Sequence, residues 1–213
     1  PFVATRSLDG QMRLTFDLHE QSSPLKGVLY AEVSPKNFKG IKQYYRFDIN
    51  SRRKQETLSL DFQIKDPHLW WPNDRGEQAL YDLNLRFIPQ KGKTAHVKTS
   101  FGIRTIEMRP LTDGAKEDYY NWTFVINGKP MFIKGTGWCT MDALMDFSRN
   151  KYEHLLQIAK SQHIQMLRAW GGGMPETDDF YELCDKYGIL VMQEWPTAWN
   201  SHNTQPYSLL KET

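Results

Sequence analysis

Three carboxylates, one arginine and a run of glycines are the residues of this 213-residue sequence whose spacing could do chemistry. Asp142, Glu176 and Glu194 each follow a short apolar run. Arg168 lies inside one such run, "IQMLRAW", and Gly171–Gly173 come directly after it. Glycines between a strand and a helix can cradle a phosphate. The spacing here argues otherwise, because there is no G-x-G-x-x-G and no Gly-Lys-Ser/Thr. Glu176, Asp178 and Asp179 also crowd the start of the following helix. They would repel an anion and satisfy the helix dipole themselves. The glycines therefore read as a sharp turn at the carboxyl end of a strand, the edge where parallel α/β folds carry their active sites. Each acid taken alone also fits a solvated loop. Arg168 has two readings: a buried structural ion pair, or a guanidinium that keeps a catalytic carboxylate ionised and oriented.

Other chemistries lack a signal. The six histidines are scattered with no H-E-x-x-H spacing, and Cys139 and Cys184 form no CxxC, so no metal and no cofactor is expected. No serine or cysteine triad is legible. Asn121-Trp122-Thr123 matches a glycosylation acceptor, a triplet that chance often supplies. Formal net charge is +2, which implies no pull toward nucleic acid or an anionic membrane. No apolar run reaches the roughly 18 residues of a membrane helix. The N-terminal "PFVATRSLDG" lacks the basic start and apolar core of a signal peptide. A start on Pro1, inside a strand-like stretch, reads as a piece cut from a longer protein. Neither feature assigns a compartment. Seven Trp, ten Tyr and eleven Phe could offer faces to sugars, although aromatic side chains more often fill cores.

The elements that must position these residues fall into two rhythms. Up to about residue 110 the sequence alternates with period two, as at Leu14, Phe16 and Leu18, at Leu58, Leu60, Phe62 and Ile64, and at Leu83, Leu85 and Phe87. Further strands are expected at 2–9, 27–34, 43–50 and 96–108. About seven short strands in a hundred residues predict an immunoglobulin-like β-sandwich over 1–110. No cysteine lies in that half, which excludes the disulfide-pinned antibody type. After a boundary within 108–121, Trp122–Ile126, Asn127-Gly128 and Met131–Lys134 predict a hairpin with a type I′ turn. A helix follows, with Tyr152, Leu155, Leu156 and Ala159 on one stripe and Ser148 as its cap. Then come a strand at Ile164–Trp170, a second helix burying Phe180, Leu183, Cys184 and Tyr187, and a strand at Ile189–Gln193. Pro175 and Gly188 punctuate the second helix. Strand, helix, strand, helix, strand means parallel strands covered by helices. The tail from Thr197 reads as a loop leading toward a further helix.

Four segments carry a resemblance: "LWWPNDRGEQALYDLNLRF" (69–87), "FGIRTIEM" (101–108), "FVINGKPMFIKGTGW" (124–138) and "MLRAWGGG…DDFYELCDKYGILVMQEW" (166–195). In this order they resemble glycoside hydrolase family 2, and the last is most similar to its β-mannosidase branch. The resemblance spans nearly the whole chain. It implies the sandwich followed by a (β/α)₈ barrel, here 111–213 with about three strands and two helices, that hydrolyses terminal β-linked sugars with retention. That chemistry uses two carboxyl groups about 5–5.5 Å apart. The family's acid follows an asparagine on barrel strand four and its nucleophile lies on strand seven. No Asn-Glu pair occurs here, so the resemblance places both glutamates beyond Thr213 and implies that this piece is inactive. It assigns sugar-binding roles to Trp138, Asp142, Arg168, Trp170 and Glu194, with Arg168 as the arginine that contacts the nucleophile. Gly137 stands where the branch has asparagine, Met174-Pro175 where it has an aliphatic-tyrosine pair, and "MQEWP" where it has "WQDF". The sugar is thus open between a β-mannoside and the glucosaminide or galactoside of the same family. The rival class is a non-catalytic sandwich module that binds carbohydrate or protein. Carbohydrate is the expected partner. An unclosed outer strand further implies packing on a neighbour or a second copy.

Overall fold

The computed structural model describes residues 1–18, 25–51, 56–111 and 122–195. Asn121, His19, His202 and the tail beyond Trp195 lie outside the described residues, and with them the glycosylation triplet and the tail reading. Contacts divide the chain into two compact units, Pro1–Trp70 with Ala79–Pro130, and Trp71–Gln78 with Met131–Thr213.

The first unit is a sandwich of two antiparallel sheets. Its strands are β1 (Phe2–Thr5), β2 (Gln11–Leu18), β3 (Lys26–Pro35), β4 (Gln43–Asn50), β5 (Glu56–Gln63), β6 (Leu80–Pro89) and β7 (Ala95–Gly102). One sheet has the order β1-β2-β5 and the other β4-β3-β6-β7. The alternation works as expected: Leu14 and Met12 on β2, Leu29, Ala31 and Val33 on β3, and Leu83 and Leu85 on β6 turn inward to one core. Full burial of one such leucine stabilises by about 1.5–3 kcal/mol, so the inward rows fix the strand register. The stretch expected as one strand at 96–108 is two. It breaks after Gly102, where a side chain would press on the buried ring of Trp70, with Trp70 Cβ 2.9 Å from an added Cβ. The chain resumes as β8 (Ile106–Pro110), which pairs antiparallel with β9 (Trp122–Ile126), beside β10 (Lys129–Met131). Asn127 and Gly128 turn β9 into β10 with φ of 50° and 76°, the positive pair a type I′ turn requires. The Asn127 amide accepts from the Thr105 N–H and donates to the Trp70 carbonyl, both at 2.9 Å, so it also ties the turn to the sandwich.

The second unit carries the candidate residues. β11 (Gly135–Trp138), α1 (Arg149–Ser161), β12 (Met166–Ala169), α2 (Asp178–Tyr187) and β13 (Leu190–Gln193) form a parallel sheet of order β11-β12-β13 with two helices. The fold is thus the expected sandwich with an incomplete barrel. The helices pack through Tyr152, Leu156, Phe180, Leu183, Cys184 and Tyr187 onto Leu167 and Val191. Ser148 stands at the N-cap of α1 with extended dihedrals, but its hydroxyl makes no capping bond. Asp178 and Asp179 occupy the first turn of α2, as the dipole argument required. Gly188 ends α2 in the left-handed region with φ 76°.

Segment 71–78 packs at the amino ends of these strands. The Asn73 amide donates to the Lys160 and Ile164 carbonyls at 2.9 and 3.2 Å, which gives partners to backbone at the end of α1. The backbone N–H of Asn73 donates to the Gly188 carbonyl at 2.8 Å, and the fully buried Gln165 donates to the Asn73 carbonyl at 2.8 Å. No sequence pattern announced this buried polar knot.

Candidate active site

Period-two alternation decides where each side chain of β12 points. Leu167 and Ala169 turn toward the helices and are buried, so Arg168 must turn to the opposite face. Of the two readings of Arg168, the buried ion pair is corrected: the side chain pairs with Glu194 but is 52% exposed. Gly137 and Met192 are its register partners on the flanking strands, and none of the three belongs to the apolar cluster under the helices. Arg168 reaches the end of β13, where Nε donates to Glu194 Oε1 at 2.7 Å and Nη2 approaches the same oxygen at 2.5 Å. The other oxygen, Oε2, accepts the Gly171 N–H at 3.0 Å. The Gly171 N–H and then the Arg168 guanidinium hold the Glu194 carboxyl below its ordinary range. Glu194 is thus a fixed anion at the carboxyl end of the sheet.

The three glycines permit this geometry by close approach rather than by unusual dihedrals. A Cβ on Gly171 would strike the Trp195 carbonyl and crowd Glu194, and one on Gly172 would strike the Trp170 indole. At Gly173 it would lie 2.6 Å from the Thr140 hydroxyl. The turn therefore lets Trp170, which is half-buried, lie against Gly172, and brings the loops after all three strands within contact of one another. Met174 N–H donates to Thr140 Oγ1 at 3.4 Å across two of them.

Trp138 lies at the end of β11 on the helix-facing side. Its ring centroid is 5.2 Å from Phe180 and 6.4 Å from Tyr152, and it packs against the apolar cluster. Its indole N–H donates to Glu176 Oε1 at 2.8 Å, while the Tyr152 hydroxyl donates to Glu176 Oε2 at 2.5 Å. Burial first, and then the Glu176 carboxylate, push the Tyr152 phenol up to about 12. Asp142 sits in the loop after β11, paired with Lys151 of α1 and accepting the Leu144 N–H at 2.7 Å. The Lys151 ammonium and that N–H lower its carboxyl. So Arg168, Glu194 and Trp170 gather around the glycine turn. Trp138 and Asp142 lie at the same edge of the sheet, bonded instead to Glu176 and Lys151. Among the described residues, no group of three or more His, Cys, Asp or Glu could hold a metal. Sequence reasoning noticed Glu176 as a strand-end acid but gave it no site role. Its two partners come from residues 138 and 152, a distance no local pattern encodes.

A family model described as "Glycosyl hydrolases family 2" matches residues 1–104, and one described as "Glycosyl hydrolases family 2, TIM barrel domain" matches residues 120–210. The chain belongs to glycosyl hydrolases family 2. Among relatives of this family, Beta-mannosidase B of Emericella nidulans is 32% identical over 146 residues, 68% of this chain and 17% of that protein. Beta-mannosidase B of Aspergillus clavatus is 28% identical over 83% of this chain and 22% of its own length. A solved Beta-D-Mannosidase from Dictyoglomus thermophilum superposes with a TM-score of 0.74 at 32% identity, over 99% of this chain and 26% of that one. The chain therefore spans about a fifth of the length of the curated relatives it matches.

Proposed function

We propose that this chain is the sandwich, over 1–110, and the first part of the catalytic barrel, over 111–213, of a retaining exo-β-glycosidase acting on terminal β-mannosides. The carboxyl-end cluster of Arg168, Glu194 and Trp170 supports this reading most directly. An arginine facing away from the helices, fixed by a carboxylate that is itself held by a backbone N–H, is preorganised to orient a further anion. A flat indole against the glycine turn gives a pyranose an apolar surface to stack on. Likeness to β-mannosidases across both units supports the choice of sugar. Asp142, placed in the loop after β11, and the half-buried Trp138 complete the proposed sugar-facing rim.

On the family resemblance, the acid that follows an asparagine on barrel strand four and the nucleophile on strand seven lie beyond Thr213; the lack of any Asn-Glu pair in these 213 residues supports the first placement. General acid catalysis alone is worth about 10²–10⁴ in rate, and the nucleophile is lost as well. The test is release of p-nitrophenol from aryl β-glycosides. The 213-residue chain should release none, and the whole reading frame that carries it should release it from the β-mannoside. Turnover by the 213-residue chain, or silence of the whole frame on every aryl β-glycoside, overturns the proposal.

A further inference from the structure

We propose that Glu176 is a positioning residue for this rim: it touches no sugar, and fixes the Trp138 indole by bonding it and the α1 hydroxyl of Tyr152 to one carboxylate. The role rests on the sugar-binding reading above. Glu176 lies between β12 and α2, three residues after the glycine turn, and each of its oxygens accepts from a different element, β11 through Trp138 and α1 through Tyr152. The acceptor is a carboxylate and both donors are neutral, so the bonds are charge-assisted through Glu176 alone, with defined direction, and stronger than bonds between neutral groups. Around them Trp138, Tyr152 and Phe180 form one aromatic cluster, in which Trp138 stacks on Tyr152 and Phe180 lies tilted against both, 5.2 Å from Trp138 and 5.6 Å from Tyr152. An indole held only by stacking can slide in its plane. One whose N–H is anchored cannot. The anchor therefore sets where the half-buried Trp138 ring stands relative to the Thr140–Met174 bridge and the glycine turn, the two features that shape the rim.

The chain has seven tryptophans, hence seven indole N–H signals in a ¹H–¹⁵N spectrum, with Trp138 assigned by its loss in Trp138→Phe. Glu176→Ala should move the Trp138 signal more than any other indole. Glu176→Gln, which keeps one acceptor oxygen, should return it most of the way and serves if the alanine variant does not fold. Titration with methyl β-D-mannoside should shift the Trp138 signal in the parent chain. The affinity should fall about tenfold in Glu176→Ala, with recovery in Glu176→Gln. An unmoved Trp138 signal in both variants, or equal affinity in parent and variants, overturns the positioning role alone. A sugar that leaves every indole of the parent chain in place overturns the site reading and this role with it.

Discussion

Gly188 and Gly128 share a φ of 76°, and their contrast tests whether segment 71–78 is seated as described. An alanine at either position must adopt the left-handed region, at a cost of about 1–2 kcal/mol, part of which is offset by a less flexible unfolded chain. At Gly128 an added Cβ meets nothing within 4 Å, so that is the whole effect. At Gly188 the Cβ would lie 2.6 Å from the backbone nitrogen of Asn73 and 3.0 Å from the Gln78 side chain. Backbone cannot rotate away as a side-chain tip can. Segment 71–78 must withdraw, lengthening the 2.8 Å bond from the Asn73 N–H to the Gly188 carbonyl. Losing that bond costs about 0.5–1.5 kcal/mol. Asn73 is 4% exposed, and pulling its amide from the Lys160 and Ile164 carbonyls leaves buried groups unpaired, at about 1–3 kcal/mol more. Gly188→Ala should therefore destabilise by about 3–5 kcal/mol and Gly128→Ala by about 1 kcal/mol. Urea unfolding gives the totals, and amide exchange read in α2 and in β9 assigns each loss to its unit. Equal losses at the two glycines would refute the seating of Asn73 against Gly188.

Three further outcomes follow from the groups around the site. The Tyr152 phenol should ionise near pH 12, read from phenolate absorbance lost in Tyr152→Phe; because its folded value is raised, the stability it contributes is complete below the ordinary pH of about 10 and disappears as pH rises through 12. Glu194 should titrate below ordinary glutamates in a carboxyl ¹³C spectrum; its lowered folded value contributes stability above the ordinary glutamate range that is lost as pH falls through the folded value, and Arg168→Met should move the titration upward. Cys139 is exposed, whereas Cys184 is buried and burial raises its thiol. An aromatic disulfide reagent should thus label one thiol in the folded chain and two in denaturant.

The sandwich and the parallel sheet were legible because burial imposes period two on strands and a stripe on helices, as Leu14, Leu83, Phe180 and Leu183 display. The turn at Asn127-Gly128 and the stop at Gly188 were legible because positive φ selects few residue types. The buried reading of Arg168 failed for a physical reason: "MLRA" looks wholly apolar around it, yet alternation gives Arg168 the face away from the helices. The break after Gly102 was missed because nothing nearby in sequence marks it: the Trp70 ring that packs on Gly102 lies more than thirty residues earlier. The partners of Glu176 and Asn73 were hidden in the same way. Each is a tertiary bond between residues far apart in sequence, and a single polar residue carries no periodicity to announce it.

The central claim is that the carboxyl edge of β11, β12 and β13 faces a sugar, and a ¹H–¹⁵N titration of the chain with methyl β-D-mannoside tests it most directly. The account predicts shifts at the Arg168 Nε–H, the Gly171 amide and the Trp170 indole, with the sandwich strands unmoved. Shifts confined to the sandwich, or none at these three groups, would contradict it.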